Sequence, residues 1–377
     1  MRSSRTQVHR WEPGLRHLGY WRTGISLHGH TMHSKEYLGR LPRYIAKFPI
    51  GSYILEREIG RAHLYQGRIF DFKKVHWTPP LSPREADELE RGQIERIGLS
   101  ALVSLTDHDS ADAGKQLRML TARSRAPISL EWTLPYGRTE FHIGIHNLPE
   151  VRADVWMGQL ADCAKRPYPT RVRELFVNLN REKSILIVLN HPYWDGESIG
   201  QVAHREALDW FLADFLPFLH AIELNGMRSR KENHEVFELG EALDIPVISG
   251  GDRHGLEPSV VLNVSRAETF EEFVNEVRNE RHSELLLMPR YFEPLPLRIL
   301  ESAWHALSDA PGEFGRRNWM ARVFVEEDGR AKPLSDFAGT RFHRVVDKFR
   351  WVIGLVANPV VRPALRLPFA GYEEGGL

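Results

Sequence analysis

The sequence predicts an α/β fold arranged as a barrel, and three observations predict it. Short apolar, β-branched runs recur along the chain, and segments of helical length and period fill most of the gaps between them. The length of 377 residues sits at the upper end of what a single α/β barrel carries. One decorated domain accounts for it.

Taken in order, strands are expected at 24–27 (GISL), 101–105 (ALVSL), 127–132 (PISLEW), 141–145 (FHIGI), 185–189 (ILIVL), 220–224 (HAIEL), 246–249 (PVIS) and 259–264 (SVVLNV). Helices are expected at 83–97, 151–165, 170–181, 205–215 and 231–243. Strands alternating with helices argue for a parallel sheet covered on its outside. Two regions break the rhythm. Residues 37–81, rich in aromatics and charge, form an insertion after the first strand, and beyond about Leu287 the alternation fades into Pro-rich and helical sequence. The expected plan is an N-terminal extension (1–22), a barrel (23–286) and a helical C-terminal extension (287–377) packing on it. In the tail, Phe342, Val345, Val346, Phe349, Val352, Ile353 and Val356 share one helical face, with Arg341, Arg344, Lys348 and Arg350 around them. Such a basic amphipathic helix can lie on an anionic membrane, but docking against the barrel is the expectation taken here.

Composition narrows the chemistry. The 50 basic and 50 acidic residues cancel, leaving no global positive field to draw the chain onto nucleic acid. Cys163 is the only cysteine, which excludes an intrachain disulfide and a thiolate zinc site and points to a reducing, cytoplasmic compartment. No secretory signal or membrane-spanning run of about 20 apolar residues is read. Any metal must therefore be held by His, Asp and Glu, and the chain carries 18 histidines.

The polar residues gather where the apolar runs end. His28 and His30 follow the first, Asp107 and His108 the second, Glu131 lies in the third and His142 in the fourth. His191 follows the fifth, and Asp252 and His254 follow PVISGG. In a parallel barrel that end is where active sites form. On extended backbone, alternate side chains face the same way, so His28 with His30, and Asp252 with His254, can each close on one centre. Gly250 and Gly251 are expected to let the chain turn tightly at the mouth.

HGHTMHS resembles the first motif (H-x-H-T-x-x-S) of the PHP family, the polymerase and histidinol phosphatase domain. TDHD is similar to its second motif, NHP to its third and GGDRH to its fourth, in family order from about Gly24 to Val264. The resemblance implies a distorted (β/α)7 TIM-like barrel with a two- or three-metal centre at its C-terminal face. It implies that His28, His30, Glu131 and Asp252 hold one metal and that Glu131 bridges to a second held by His142 and His191. A third would use His108 and His254 with one ligand from the first loop. There the chain departs from the pattern, because related proteins often place Asp or His where this one has Lys35 and Glu36. Glu36 can coordinate, and His33 stands as an alternative ligand or a substrate contact. Ser34 fits a role in capping or orienting the loop better than one as nucleophile.

Imidazole and carboxylate donors suit Zn, Mn or Fe. A pair of such divalent ions about 3.5–4 Å apart ionises a bridging water and clamps the oxygens of a displacement at phosphorus. The expected activity is metal-dependent hydrolysis of a small phosphorylated substrate, with Glu131, Asp252 and Arg253 in catalysis. Arg138, Arg228, Lys231 and His33 are the expected substrate contacts, the cations among them through charge-assisted bonds to phosphoryl oxygens. The insertion leaves from the ligand-bearing loop, so a lid is expected, with Tyr53, His63, Tyr65, Phe70 or Trp77 facing the pocket. The alternatives are a metal-dependent amidohydrolase, a nuclease acting on phosphodiesters, against which the balanced charge weighs, and a metal-binding scaffold without activity.

Overall fold

The computed structural model describes residues 5–14, 18–40, 71–120, 123–309, 318–327 and 329–336, with a few further single positions. Among these the strands run, in chain order, β1 (Thr6–Arg10), β2 (Thr23–Ser26), β3 (Glu36–Tyr37), β4 (Val75–Trp77), β5 (Ser100–Val103), β6 (Leu130–Tyr136) and β7 (Thr139–His146). They continue with β8 (Leu186–Asn190), β9 (Ala221–Asn225), β10 (Val247–Gly250), β11 (Val261–Ser265), β12 (Ser283–Leu287), β13 (Val323–Glu327) and β14 (Arg330–Pro333). The α-helices are α1 (Pro83–Arg96), α2 (Asp112–Arg118), α3 (Ala153–Lys165), α4 (Pro169–Arg181), α5 (Gln201–Phe215), α6 (Arg230–Ala242), α7 (Phe270–Arg278) and α8 (Leu295–Leu307).

Local sequence explains where the helices start and what they bury. Ser82 and Glu85 form a reciprocal capping box ahead of α1, with Pro83 in the first turn, and Thr269 with Glu272 does the same for α7. Along α4, Val172, Leu175, Phe176 and Leu179 recur at helical spacing and form its buried face. That face joins the main core, which packs Trp132, Ile143 and Ile187 of the strands against Trp156, Phe176 and Phe211 of the helices. Each such apolar side chain contributes about 1.5–3 kcal/mol on full burial.

The strands form a sheet in the order β1-β12-β11-β2-β5, a second in the order β10-β9-β8-β7-β6, and a four-stranded sheet β14-β13-β4-β3. The α/β class is the one expected, but the ladders among the described residues form three open sheets and no closed barrel. Nor is the pairing uniformly parallel: β6 with β7, β7 with β8 and β2 with β11 run antiparallel. A strand buried on both faces reads as the same apolar run in either direction, so its composition does not tell parallel from antiparallel. Ile25 and Leu27, from and just beyond β2, pack with Val188, Ala221 and Ile248 of the second sheet in one buried cluster. The first two sheets also meet through two isolated parallel bridges, Gly29 with Arg253 and His108 with Glu131.

Two further features were not expected as strands. β1 pairs in parallel with β12, which ties residues 6–10 to residues 283–287. The third sheet joins both ends of the insertion to residues 323–333. Of the proposed lid residues, His63, Tyr65 and Phe70 lie outside the described residues, as do the seven apolar positions of the tail helix; Tyr53 is exposed. No helix among the described residues is long and apolar enough to cross a membrane.

Candidate metal centre

Glu131 enters at the start of β6 and is 1% exposed. Its Oε2 lies 3.0 Å from His28 Nε2, 3.4 Å from His30 Nε2 and 3.4 Å from His108 Nδ1. Its Oε1 lies 3.1 Å from His191 Nε2 and 3.3 Å from His142 Nδ1, and it accepts a hydrogen bond from Asn190 Nδ2 at 2.9 Å. One carboxylate thus faces five imidazoles. Asp252 Oδ1 stands 3.7 Å from His28 Nε2 and 3.6 Å from His30 Nε2. Glu36 reaches the other side, with Oε1 3.3 Å from His254 Nε2 and Oε2 3.6 Å from His108 Nε2.

Three donor sets result: His28, His30 and Glu131; His108, Glu131 and His142; and His30, Glu36, His108 and His254. Within each, the donor atoms lie within 4.8 Å of one another. These residues fit divalent ions on an observation independent of their names. His30 Nε2 and His142 Nδ1 are buried without a hydrogen-bond partner, and a buried ring nitrogen left so, beside carboxylates, is one a cation would satisfy. Lys35, next to Glu36, is exposed.

The backbone reaches this arrangement differently from the extended alternation expected. β2 stops at Ser26 and β10 at Gly250, and the candidate ligands sit beyond these ends on a twisted path. His28 (φ 60°), His191 (φ 26°) and Asp252 (φ 48°) occupy positive φ, a region that His and Asp enter more readily than most residues. The loops after β2 and β10 are laced together: Gly251 N donates to Leu27 O at 2.9 Å, and His30 N to Arg253 O at 2.8 Å. Gly250 and Gly251 have no positive φ, which corrects their expected role in turning the chain. They are needed for close approach, since a Cβ on Gly250 would collide with the Glu223 carboxylate and one on Gly251 with Ser259.

Behind the donors stands a second layer that the sequence reading missed. Glu223, 2% exposed, accepts from His28 Nδ1 at 2.5 Å and from Asn225 Nδ2 at 2.6 Å. The same Asn225 nitrogen reaches Asp252 Oδ2 at 3.2 Å. Glu223 therefore holds the His28 ring with Nε2 toward Glu131. Ser34 Oγ donates to Glu36 Oε1 at 2.6 Å and accepts from His108 N at 3.1 Å. The available signal was a charged residue inside the apolar run AIELN, and an Asn beside the histidine in NHP.

Electrostatics follow from packing these charges out of water. Burial alone would raise Glu131 and Asp252, but the surrounding imidazoles, His28 foremost, hold both well below the usual carboxylate range. Burial pushes His142 down, yet the Glu131 carboxylate outweighs it and holds the ring at about 10. His254 is held at about 9 by Glu36 against the same burial. His30, buried and beside the charge of His254, falls to about 3.

The proposed substrate contacts separate. Arg228 lies at the centre: Nη2 is 3.5 Å from Asp252 Oδ2, and the guanidinium sits 5.3 Å over the Trp194 ring. Trp194 meets His142 and His191 edge-on, each at 5.1 Å. Arg253 is buried and turned toward α1, with Nε donating to Glu90 Oε1 at 2.8 Å and Nη1 to Gly255 O at 3.1 Å. Arg138 is exposed in the β6–β7 turn, about 13 Å along β7 from His142 by strand rise. Lys231 is exposed on the first turn of α6. His33 is half-buried, and its Nε2 has no hydrogen-bond partner. Of the proposed lid residues Trp77 reaches the centre, its ring 6.1 Å from that of His254.

No family model matches the sequence, and no curated protein matches it. Solved structures with a similar chain trace include an amidohydrolase from Chromobacterium violaceum with bound sulfate and no metal, at TM-score 0.34 and 16% identity over 47% of this chain and 83% of that one. PsfC from Pseudomonas syringae gives TM-score 0.39 and 15% identity over 58% and 86%. A candidate metal-dependent phosphoesterase from Bifidobacterium adolescentis gives TM-score 0.34 and 16% identity over 53% and 91%. Likeness at this level assigns nothing, and the functional reading rests on the geometry of the centre.

Proposed function

We propose that this chain is a metal-dependent hydrolase of phosphate esters that acts on a small phosphorylated substrate with two or three divalent ions. The observation that carries the reading is Glu131, whose two oxygens face five imidazoles drawn from separate loops and strands. The resemblance of HGHTMHS, TDHD, NHP and GGDRH to the PHP motifs supports it. On the same grounds we read the two five-stranded sheets, bridged at Gly29–Arg253 and His108–Glu131, as a distorted (β/α)7 barrel with the centre at its mouth. The single buried Cys163 agrees with a reducing cytoplasm.

When bound, a pair of divalent ions supplies an ionised water near neutral pH and neutralises charge during displacement at phosphorus. The chain's residues do the rest. Glu131 is shared by two of the donor sets, its Oε2 facing His28, His30 and His108 and its Oε1 facing His142 and His191, and so ties them together. Glu223 orients His28, and Glu140, 3.4 Å from His142 Nε2, does the same for His142. Arg228 presents N–H groups to phosphoryl oxygens, aimed by its contact with Asp252 and its stacking on Trp194. Trp77 stands beside His254, and Trp194 beside His142 and His191, so the two rings flank the donors.

The test is elemental analysis of the purified protein followed by a screen of phosphate mono- and diesters with added Mn or Zn. Metal-dependent release of phosphate is expected, and Glu131→Gln should lose bound metal and at least ~100-fold in kcat. Cleavage of an amide but of no phosphate ester would transfer the assignment to the amidohydrolase reading. Absence of both metal and ester cleavage would overturn the proposal.

A further inference from the structure

Glu36 stands at the first position of the two-residue strand β3, opposite Trp77 of β4, and Trp77 is in turn opposite Val323 of β13. Side chains reinforce that path. Tyr37 Oη donates to Glu326 Oε1 at 3.2 Å, closing 289 residues of sequence. His76 Nδ1 lies 3.6 Å from the same oxygen, and its ring stacks on Phe324 at 5.3 Å. Buried Arg322 donates to Thr78 O at 3.1 Å and to Ser308 O at 2.7 Å, while Thr78 N donates to Arg322 O at 2.8 Å. A two-residue strand is far below the usual length of five or six and has little ladder of its own to fix it. β13 lies between β14 and β4 in this sheet and pairs with both.

We infer that β13 is a positioning element of the metal centre. This C-terminal strand holds β4, and through it Glu36 and Trp77, so that Glu36 closes the donor set with His30, His108 and His254. The inference rests on the metal reading proposed above, but not on the reaction assigned to it. Residues 318–336 are on this view part of the centre rather than an appendage.

The experiment counts metal in the full-length chain, stripped with a chelator, reloaded with Zn and freed of excess ion. Glu36→Gln serves as the reference and is expected to lose one equivalent. Val325→Pro removes a ladder N–H from a strand paired on both sides; it should lose the same single equivalent and keep those held around Glu131. Glu326→Gln tests the side-chain link more gently and should weaken one equivalent by roughly 10-fold against a competing chelator, leaving the rest unchanged. Should Val325→Pro fail to fold, Glu326→Gln and Tyr37→Phe decide the question. Wild-type stoichiometry and affinity in the folded variants would overturn the inference. So would a uniform weakening of every equivalent, which signals general destabilisation, or a Glu36→Gln chain that loses nothing. Because the readout is metal content, a chain showing the selective loss while cleaving no phosphate ester would sink the proposed reaction and leave this inference standing.

Discussion

Glu131 shows how far single residues could be read. That a carboxylate in PISLEW belongs with His28, His30, His142 and His191, up to 103 residues away, followed from motif order, because side chains able to hold a metal are chemically conspicuous; the approach of His108 to the same carboxylate did not. Glu223 was not conspicuous. A glutamate in an apolar strand carries no sign of its partner until the strand is placed beside the loop bearing His28. Its role can be tested: Glu223→Gln should lower metal affinity about 10–100-fold, with little change in the melting temperature of the chelator-treated chain. Competition with a coloured chelator reads the affinity, and an unchanged constant would mean that the His28 ring is oriented by other contacts.

At the scale of elements, the positions of the expected strands and helices were legible, whereas β1, β12, the third sheet, α2 and α7 and the direction of the strands were not. Helix α1 lies within a residue of its expected span, since caps and period are local properties, whereas pairing direction is settled by contacts between distant segments. The loop after β10 shows the same limit. Sequence placed Arg253 among the reacting groups; the left-handed turn at Asp252 is followed by a guanidinium directed at Glu90 of α1. Glu90 also accepts from Ser26 Oγ at 3.0 Å and Ser259 N at 3.1 Å, so this pair fastens the helix to two ligand-bearing loops. Both partners are 2% exposed in their side chains. Arg253→Ala strands a buried carboxylate and should cost about 3–5 kcal/mol, measured by denaturant unfolding. A variant with altered KM and an unshifted unfolding midpoint would contradict this and restore a direct role toward substrate.

For the whole molecule, the proposed metal reading couples metal, protons and stability. His142 at about 10 and His254 at about 9 carry protons at pH 7 when no cation is present. Their raised values stabilise the metal-free fold fully below the ordinary histidine value of 6.5. That contribution is lost as pH climbs through 9 to 10. A ligating nitrogen must give up its proton, so metal binding should release one or more protons at pH 7, and affinity should rise with pH. Titration calorimetry in buffers of different ionisation enthalpy measures the release, and melts of chelator-treated protein at pH 7 and pH 10 should show the lower midpoint at pH 10. Proton-neutral binding would show that these imidazoles are already neutral.

The pairing of early with late segments sets a timetable for birth of the protein. The Arg322–Thr78 contact spans 244 residues and the Thr6–Ser283 contact 277, and a ribosome adding about 5–20 residues per second needs roughly 12–55 s to bridge such gaps. Throughout that interval the Glu36 loop has been made but its anchoring strand has not. Nascent chains would thus acquire their histidine-rich floor before the acidic flank is fastened, and the donor set around Glu36 would be completed only once residues 323–327 have been made.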